Sequence, residues 1–131
     1  MDYFFASESL GPLPKLLGEI TEVTGGAGRM EIYRDVHVLT ARLRRHNGPG
    51  IMILLAGTRQ DLAGLTALRD TVLDADVILL VPDGEPDTVT AAHMLRPSYL
   101  GKTDGDLDNV VPVLRRLIEK RMRSARFGEP A

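Results

Sequence analysis

A chain of 131 residues, 44% hydrophobic and 26% charged, has the composition of an ordinary globular domain and the length to enclose one core. It has no cysteine, which excludes disulfides, thiolate metal sites and cysteine nucleophiles. Sixteen Lys and Arg against eighteen Asp and Glu leave a net charge of −2, so no overall basic field recruits nucleic acid, and no apolar run approaches the length of a membrane span.

In chain order, Tyr3-Phe4-Phe5-Ala6 reads as an opening strand. Leu13, Leu16, Leu17, Ile20 and Val23 then recur at helical spacing and place one apolar stripe on a helix that stops at Gly25-Gly26. Met30-Glu31-Ile32-Tyr33 is a weaker strand, suited to a sheet edge. Val36, Leu39 and Leu43 mark a second helix that runs out through Arg44, Arg45 and His46, where cations suit the helix dipole. Ile51-Met52-Ile53-Leu54-Leu55 follows the turn residues Gly48-Pro49-Gly50 as a continuous apolar strand. A third helix carries Leu62, Leu65, Leu68 and Val72.

Val77-Ile78-Leu79-Leu80-Val81 is a second continuous strand, closed by Pro82-Asp83-Gly84. Asp83-Gly84-Glu85-Pro86-Asp87 announces a fourth helix, with Pro86 suited to its first position and acids to its first turn. Ser98-Tyr99-Leu100 is an edge strand, and a last helix carries Val110, Val113, Leu114, Leu117 and Ile118. Pro112 near its start makes that helix begin late or bend. Residues 122–131 are expected as a flexible basic tail of a single domain spanning 1–131. The opening Met1-Asp2-Tyr3 lacks the basic start of a secretory signal, so a cytoplasmic location is expected.

Strands that are apolar throughout belong to parallel sheets covered on both faces. Five strand–helix pairs in alternation therefore predict an α/β fold, a doubly wound five-stranded parallel sheet of order 2-1-3-4-5 with helices on both faces. Ligands and catalytic groups in such sheets lie beyond the carboxyl ends of the strands. That rule directs attention to residues 7–9, 56–59, 82–85 and 101–104.

Several motifs fail on their chemistry. Gly25-Gly26-Ala27-Gly28-Arg29 follows a helix and precedes a strand, the reverse of a phosphate loop, and reads as a flexible turn. Gly57-Thr58-Arg59-Gln60-Asp61 faintly matches a guanine-recognition segment, but the chain has no Gly-x-x-x-x-Gly-Lys loop to hold phosphates. His37, His46 and His93 are scattered, without the close spacing zinc requires, and no Gly-x-Ser-x-Gly elbow anchors a hydrolase. Asp83, Glu85 and Asp87 read as capping and first-turn acids of a helix rather than as metal ligands, and so do Thr103, Asp104, Asp106 and Asp108. Arg115, Arg116, Lys120, Arg121, Arg123 and Arg126 read as the solvated face and last turn of the final helix, with docking to an acidic partner or to nucleic acid as the minority reading.

Gly64-Leu65 follows Ala56 at a spacing of eight residues, and Tyr99-Leu100-Gly101-Lys102 runs on from the last strand. Over nearly its whole length, and best from 51 to 118, the chain resembles the receiver domain of bacterial response regulators, the CheY-like family with its flavodoxin-like fold, in which a Gly-Leu follows the phosphorylated aspartate at that spacing and the fifth strand carries Tyr-Leu-x-Lys. The departures fall on the chemistry. Where receivers place an acidic pair this chain has Ala6 and Ser7, with Glu8 beside them. The acceptor position is Ala56, or Gly57 if the register slips by one. Val81 stands where a Thr or Ser would read the phosphoryl group, and Lys102 alone matches. Mg²⁺ needs hard oxygen ligands, and aspartyl phosphorylation needs a carboxylate nucleophile.

The resemblance therefore implies a pseudo-receiver with no catalytic residue, metal or cofactor and a degenerate pocket of Ser7, Glu8, Ala56, Gly57, Val81 and Lys102. Lys102 is expected to bind an anion or pair with Glu8, or else to lie solvated near Asp104 and Asp106. The implied function is regulatory protein–protein contact through the fourth helix, fifth strand and fifth helix, drawn from residues 93–116. His93, Tyr99, Lys102, Arg115 and Arg116 lie on that surface. Tyr99 is expected either to switch rotamers or to pack its ring on the sheet edge with its hydroxyl in water. A homodimer across this patch is the natural self-association. The alternative from another class is a flavodoxin-like binder of a small ligand or nucleotide at the strand-end crevice.

Overall fold

The computed structural model describes residues 2–10, 13–25, 28–45, 50–72 and 74–126, without the side chains of 125 and 126. Its elements are β1 (Asp2–Ser7), α1 (Pro14–Thr24), β2 (Arg29–Tyr33), α2 (Val36–Arg45), β3 (Ile51–Leu55), α3 (Arg59–Thr66), β4 (Asp76–Val81), α4 (Pro86–His93), β5 (Tyr99–Lys102) and α5 (Val110–Arg126), with a 3₁₀ turn at Leu107–Asn109. The strands form one parallel sheet of order β2-β1-β3-β4-β5, as the alternating pattern predicts.

Burial explains that order. Every residue of β3 is at most 1% exposed, and β4 is buried from Val77 to Val81, so the two continuous apolar runs lie side by side in the interior. Strand periodicity sends Phe4, Met52, Leu54, Val77 and Leu79 to one face, under α2, α3 and α4. Tyr3, Phe5, Ile51, Ile53, Ile78 and Leu80 face the other way, under α1 and α5. Each large aliphatic side chain so buried contributes about 1.5–3 kcal/mol. The mixed sequence of β2 suits its edge position, where Ile32 remains half exposed.

Two boundaries differ from the sequence reading. Leu68 and Val72 are buried as expected, but α3 ends at Thr66 and both lie in the turns that follow. There the amides of Leu68, Arg69 and Thr71 bond three residues back, while the Thr66 and Thr71 hydroxyls return to the Ala63 and Leu68 carbonyls at 2.7 and 2.8 Å. Threonine hydroxyls compete with the helix for its own carbonyls, and two here tighten the chain out of α geometry.

At the C-terminus, residues 122–126, expected in a flexible tail, are helical. Met, Arg, Ser and Ala sustain a helix, and Arg121 anchors this stretch through Asp76 Oδ2 at 2.7 Å and the Asp74 carbonyl at 2.9 Å. Pro112 sits in the first turn of α5, where the proline removes no helical hydrogen bond; the helix begins late, after the 3₁₀ turn. The expectations for Gly26, Ala27, His46, Gly48, Pro49, the Arg126 side chain and 127–131 lie outside the described residues.

Gly25 ends α1 in the left-handed region at φ 61°, its amide bonding to the Thr21 and Glu22 carbonyls. Gly18 lies inside the same helix with a negative φ, and a Cβ at either glycine would meet nothing within 4 Å. Opposite effects are therefore expected from one chemical change. Gly18→Ala should stabilise the fold by about 0.5–1 kcal/mol, and Gly25→Ala should destabilise it by about 1 kcal/mol. Urea denaturation of the two variants checks both signs.

Candidate functional site

The carboxyl ends of β1, β3 and β4 form the floor of the crevice to which a doubly wound sheet directs its ligands. Ala6, Ala56 and Val81 occupy these ends, at 6%, 0% and 2% exposure, within one apolar cluster that includes Leu62, Leu65 and Ala92. The Ala56 amide bonds to the Leu80 carbonyl at 2.8 Å, and the Thr103 amide to the Val81 carbonyl at 2.9 Å. The floor is thus closed by backbone hydrogen bonds and methyl groups.

Gly57, next along the chain, is enclosed as well. A Cβ there would collide with Ser9 Oγ and would lie 2.9 Å from Leu10 Cδ2, so the β1–α1 loop fills the space above this position. Asp61 fastens that arrangement. Its Oδ2 accepts the Gly57 amide at 3.1 Å and the Ser9 hydroxyl, while its own amide donates to the Thr58 hydroxyl that caps α3. Ser9, Leu10 and Asp61 were not among the pocket residues expected from the sequence. The one local signal was the Thr58-x-x-Asp61 spacing of a helix start.

The acids around this crevice belong to separate turns. Asp83 accepts the Glu85 amide at 3.0 Å and Arg59 Nε at 3.1 Å, tying the β4–α4 loop to the start of α3. Glu85 stands at the N-cap of α4 without a side-chain cap bond, so Asp83 organises the loop before the helix rather than capping it. Asp106 accepts the Lys102 backbone amide at 2.6 Å and the Asn109 side-chain Nδ2 at 3.2 Å, and so folds the chain back onto β5. Asp35 accepts the His37 amide at 2.8 Å ahead of α2. No group of three or more His, Asp or Glu among the described residues is arranged to hold a metal ion.

Lys102 belongs to β5, is exposed, and runs its stem past Gly84, whose Cβ position is 3.9 Å from Lys102 Cδ. Among the described residues it pairs with neither Glu8 nor a nearby aspartate. Ser7 is 4% exposed and its hydroxyl has no hydrogen-bond partner. It lines a small crevice with Glu8, Arg34, Asp35 and Asp61, beside the start of α2. Of the six pocket residues read from the sequence, Ala56, Gly57 and Val81 fall at adjoining strand ends, Ser7 and Glu8 border the side crevice, and Lys102 lies out on the rim.

On the other expected surface, His93 ends α4 and is exposed, as are its neighbour Met94 and, on α5, Arg115 and Arg116. Tyr99 packs its half-buried ring against the α1–α5 side of the core, and its hydroxyl accepts the Asn109 side-chain Nδ2 at 3.1 Å.

The β2–α2 loop is braced from beneath. Arg42 pairs with Glu31 through two hydrogen bonds of 3.2 Å, lies 5.1 Å from the Phe4 ring centroid, and shares Glu31 with the Tyr33 hydroxyl at 2.6 Å. The Tyr33 hydrogen bond, with help from Arg42, holds the Glu31 carboxyl below its usual range against the opposing effect of burial. Burial, then the Glu31 carboxylate, pushes the Tyr33 hydroxyl up to about 12.

A scan against protein-family models found no match, and no curated protein matched either. Solved structures do match. The signal receiver domain of an HD domain-containing protein from Pseudomonas fluorescens Pf-5 superposes with a TM-score of 0.66 at 13% identity, covering 93% of this chain and 97% of that one. A response regulator from Thermotoga maritima gives 0.62 at 10% identity over 91% and 98%. The phosphorylated cyanobacterial phytochrome response regulator RcpA gives 0.62 at 14% identity over 90% and 91%. The chain has the receiver fold.

The Tyr33 pair sets a pH dependence of stability. A tyrosine whose folded pKa is raised stabilises the fold fully below its unfolded value of 10.0, and that contribution is lost as pH rises towards about 12. Glu31, lowered, contributes above the ordinary carboxylate range and loses its contribution as pH falls through its folded value. Ultraviolet titration should show a late phenolate component near pH 12 that Tyr33→Phe removes.

Proposed function

We propose that this chain is a receiver-like regulatory module that carries no phosphoryl group and acts by protein–protein contact. The observation that supports it most is the apolar, closed floor at Ala6, Ala56 and Val81, with the space over Gly57 taken by Ser9 and Leu10. Aspartyl phosphorylation needs a carboxylate at the strand end and oxygen ligands for Mg²⁺ beside it, and methyl groups supply neither. The proposed contact surface is the α4–β5–α5 side, where His93, Met94, Lys102, Arg115 and Arg116 are exposed around Tyr99. Incubation with acetyl phosphate and Mg²⁺ should leave the intact mass unchanged, and a labile phosphoryl adduct would refute the reading.

A small-ligand binder is the second reading, favoured by the unpartnered Ser7 hydroxyl in the side crevice. A ligand held there by the folded form alone must raise its melting temperature. A thermal-shift screen of nucleotides, flavins and phosphorylated metabolites should show no rise, and a rise lost in Ser7→Val would favour the binder.

A further inference from the structure

Exposed charge is unevenly placed along the axis of α5. Arg115, Arg116, Lys120 and Arg123 are exposed on its outer side, and Glu119 is the one acid from 115 to the end of the helix. Lys120 approaches Asp76 at 3.9 Å, but Arg121 already holds that carboxylate at 2.7 Å. Arg115, Arg116 and Arg123 have no ion-pair partner among the described residues. Around the opposite end of the helix stand Glu85, Asp87 in the first turn of α4, Asp104, and Asp108 in the 3₁₀ turn, four exposed acids likewise unpaired among the described residues, against one exposed unpaired cation there, Lys102.

These two patches do not neutralise each other within one copy. At 1.5 Å per residue Arg116 lies about 12 Å and Arg123 about 22 Å along the axis from Asp108. Both spans exceed the screening length of about 8 Å at physiological salt. The helix dipole does not explain the pattern either. It favours cations only in the last turn, whereas Arg115 and Arg116 lie in the second turn of α5.

We propose that the basic side of α5 docks on the acidic strand-end rim of a second copy, head to tail. The occupant is a second copy because this chain itself presents the complementary carboxylates. A twofold pairing of α5 helices that set Asp108 opposite Arg123 would centre on residues 115 and 116 and press their guanidinium groups together. The head-to-tail contact avoids that repulsion and leaves a free patch at each end, so copies add in open series. This inference rests on the reading of the α4–β5–α5 side as a contact surface and names what it contacts.

Sedimentation velocity of the 131-residue chain at low ionic strength should show a weight-average mass that climbs with concentration past the dimer and returns to the monomer in high salt. Arg115→Glu with Arg116→Glu should weaken association by at least about tenfold, and so should Asp104→Lys with Asp108→Lys. A 1:1 mixture of the two variants, or one chain carrying all four changes, should restore it. Arg115→Gln with Arg116→Gln, checked for an unchanged melting temperature, separates lost attraction from lost folding. A chain that stays monomeric, a plateau at the dimer, or association indifferent to these reversals would overturn the inference. Amide chemical-shift mapping on concentration tells the two failures apart. Changes on α4, β5 and α5 that the reversals leave intact sink the head-to-tail contact and spare the surface, whereas changes confined elsewhere sink both.

Discussion

Two-sided burial of β3 and β4 sets the terms for everything at their carboxyl ends. A strand covered by helices on both faces must be apolar along its length, and here the apolar run does not stop at the last ladder residue. It passes the end of β3 into Ala56, which with Val81 at the end of β4 joins Ala6, Leu62 and Leu65 in the cluster beneath α2, α3 and α4. An ionised carboxylate at Ala56 would enter that cluster without a partner, at a desolvation cost of several kcal/mol. The floor at Ala56 and Val81 is therefore made by the same packing that holds the sheet together.

The loops above this floor obey a second constraint, that backbone groups near a buried layer find partners. Four aspartates meet it in two ways. Asp35 and Asp83 accept the amide two residues ahead, and Asp61 and Asp106 accept the amide four residues behind. Each carboxylate closes its own turn, with Asp61 reaching Ser9 and Asp83 reaching Arg59 from neighbouring loops. Acids that crowd one end of the sheet are in this way distributed among separate local tasks. Those left without a partner stand on the outer rim, where they shape the electrostatic face of the molecule rather than a site.

How much of this was legible follows from the range of each interaction. The strands, the alternation and the sheet order were readable because continuous apolar runs and a 3.6-residue stripe are local patterns with one economical packing. The end of α3 was not, because Thr66 and Thr71 draw hydroxyl bonds from the helix that no hydrophobic period registers. The helical stretch 122–126 was missed because its anchor, Arg121 on Asp76, joins residues 45 apart. Ser9 falls in a loop the sequence singled out, but its partner was not readable for the same reason, since its hydroxyl meets Asp61 across 52 residues.

The amino-acid sequence by itself determined the class of fold, the two interior strands and the absence of acids at positions 6, 56 and 81. Those are properties of residue type and spacing, and burial energy acts on them directly. Tertiary structure decided what fills the space over Gly57, where Lys102 runs, and how Tyr99 spends its hydroxyl on Asn109. It also decided that the exposed cations of α5 and the exposed acids of the strand-end rim lie apart along that helix. Each of these depends on which loops the parallel crossovers bring together, and that is fixed only when the sheet has formed.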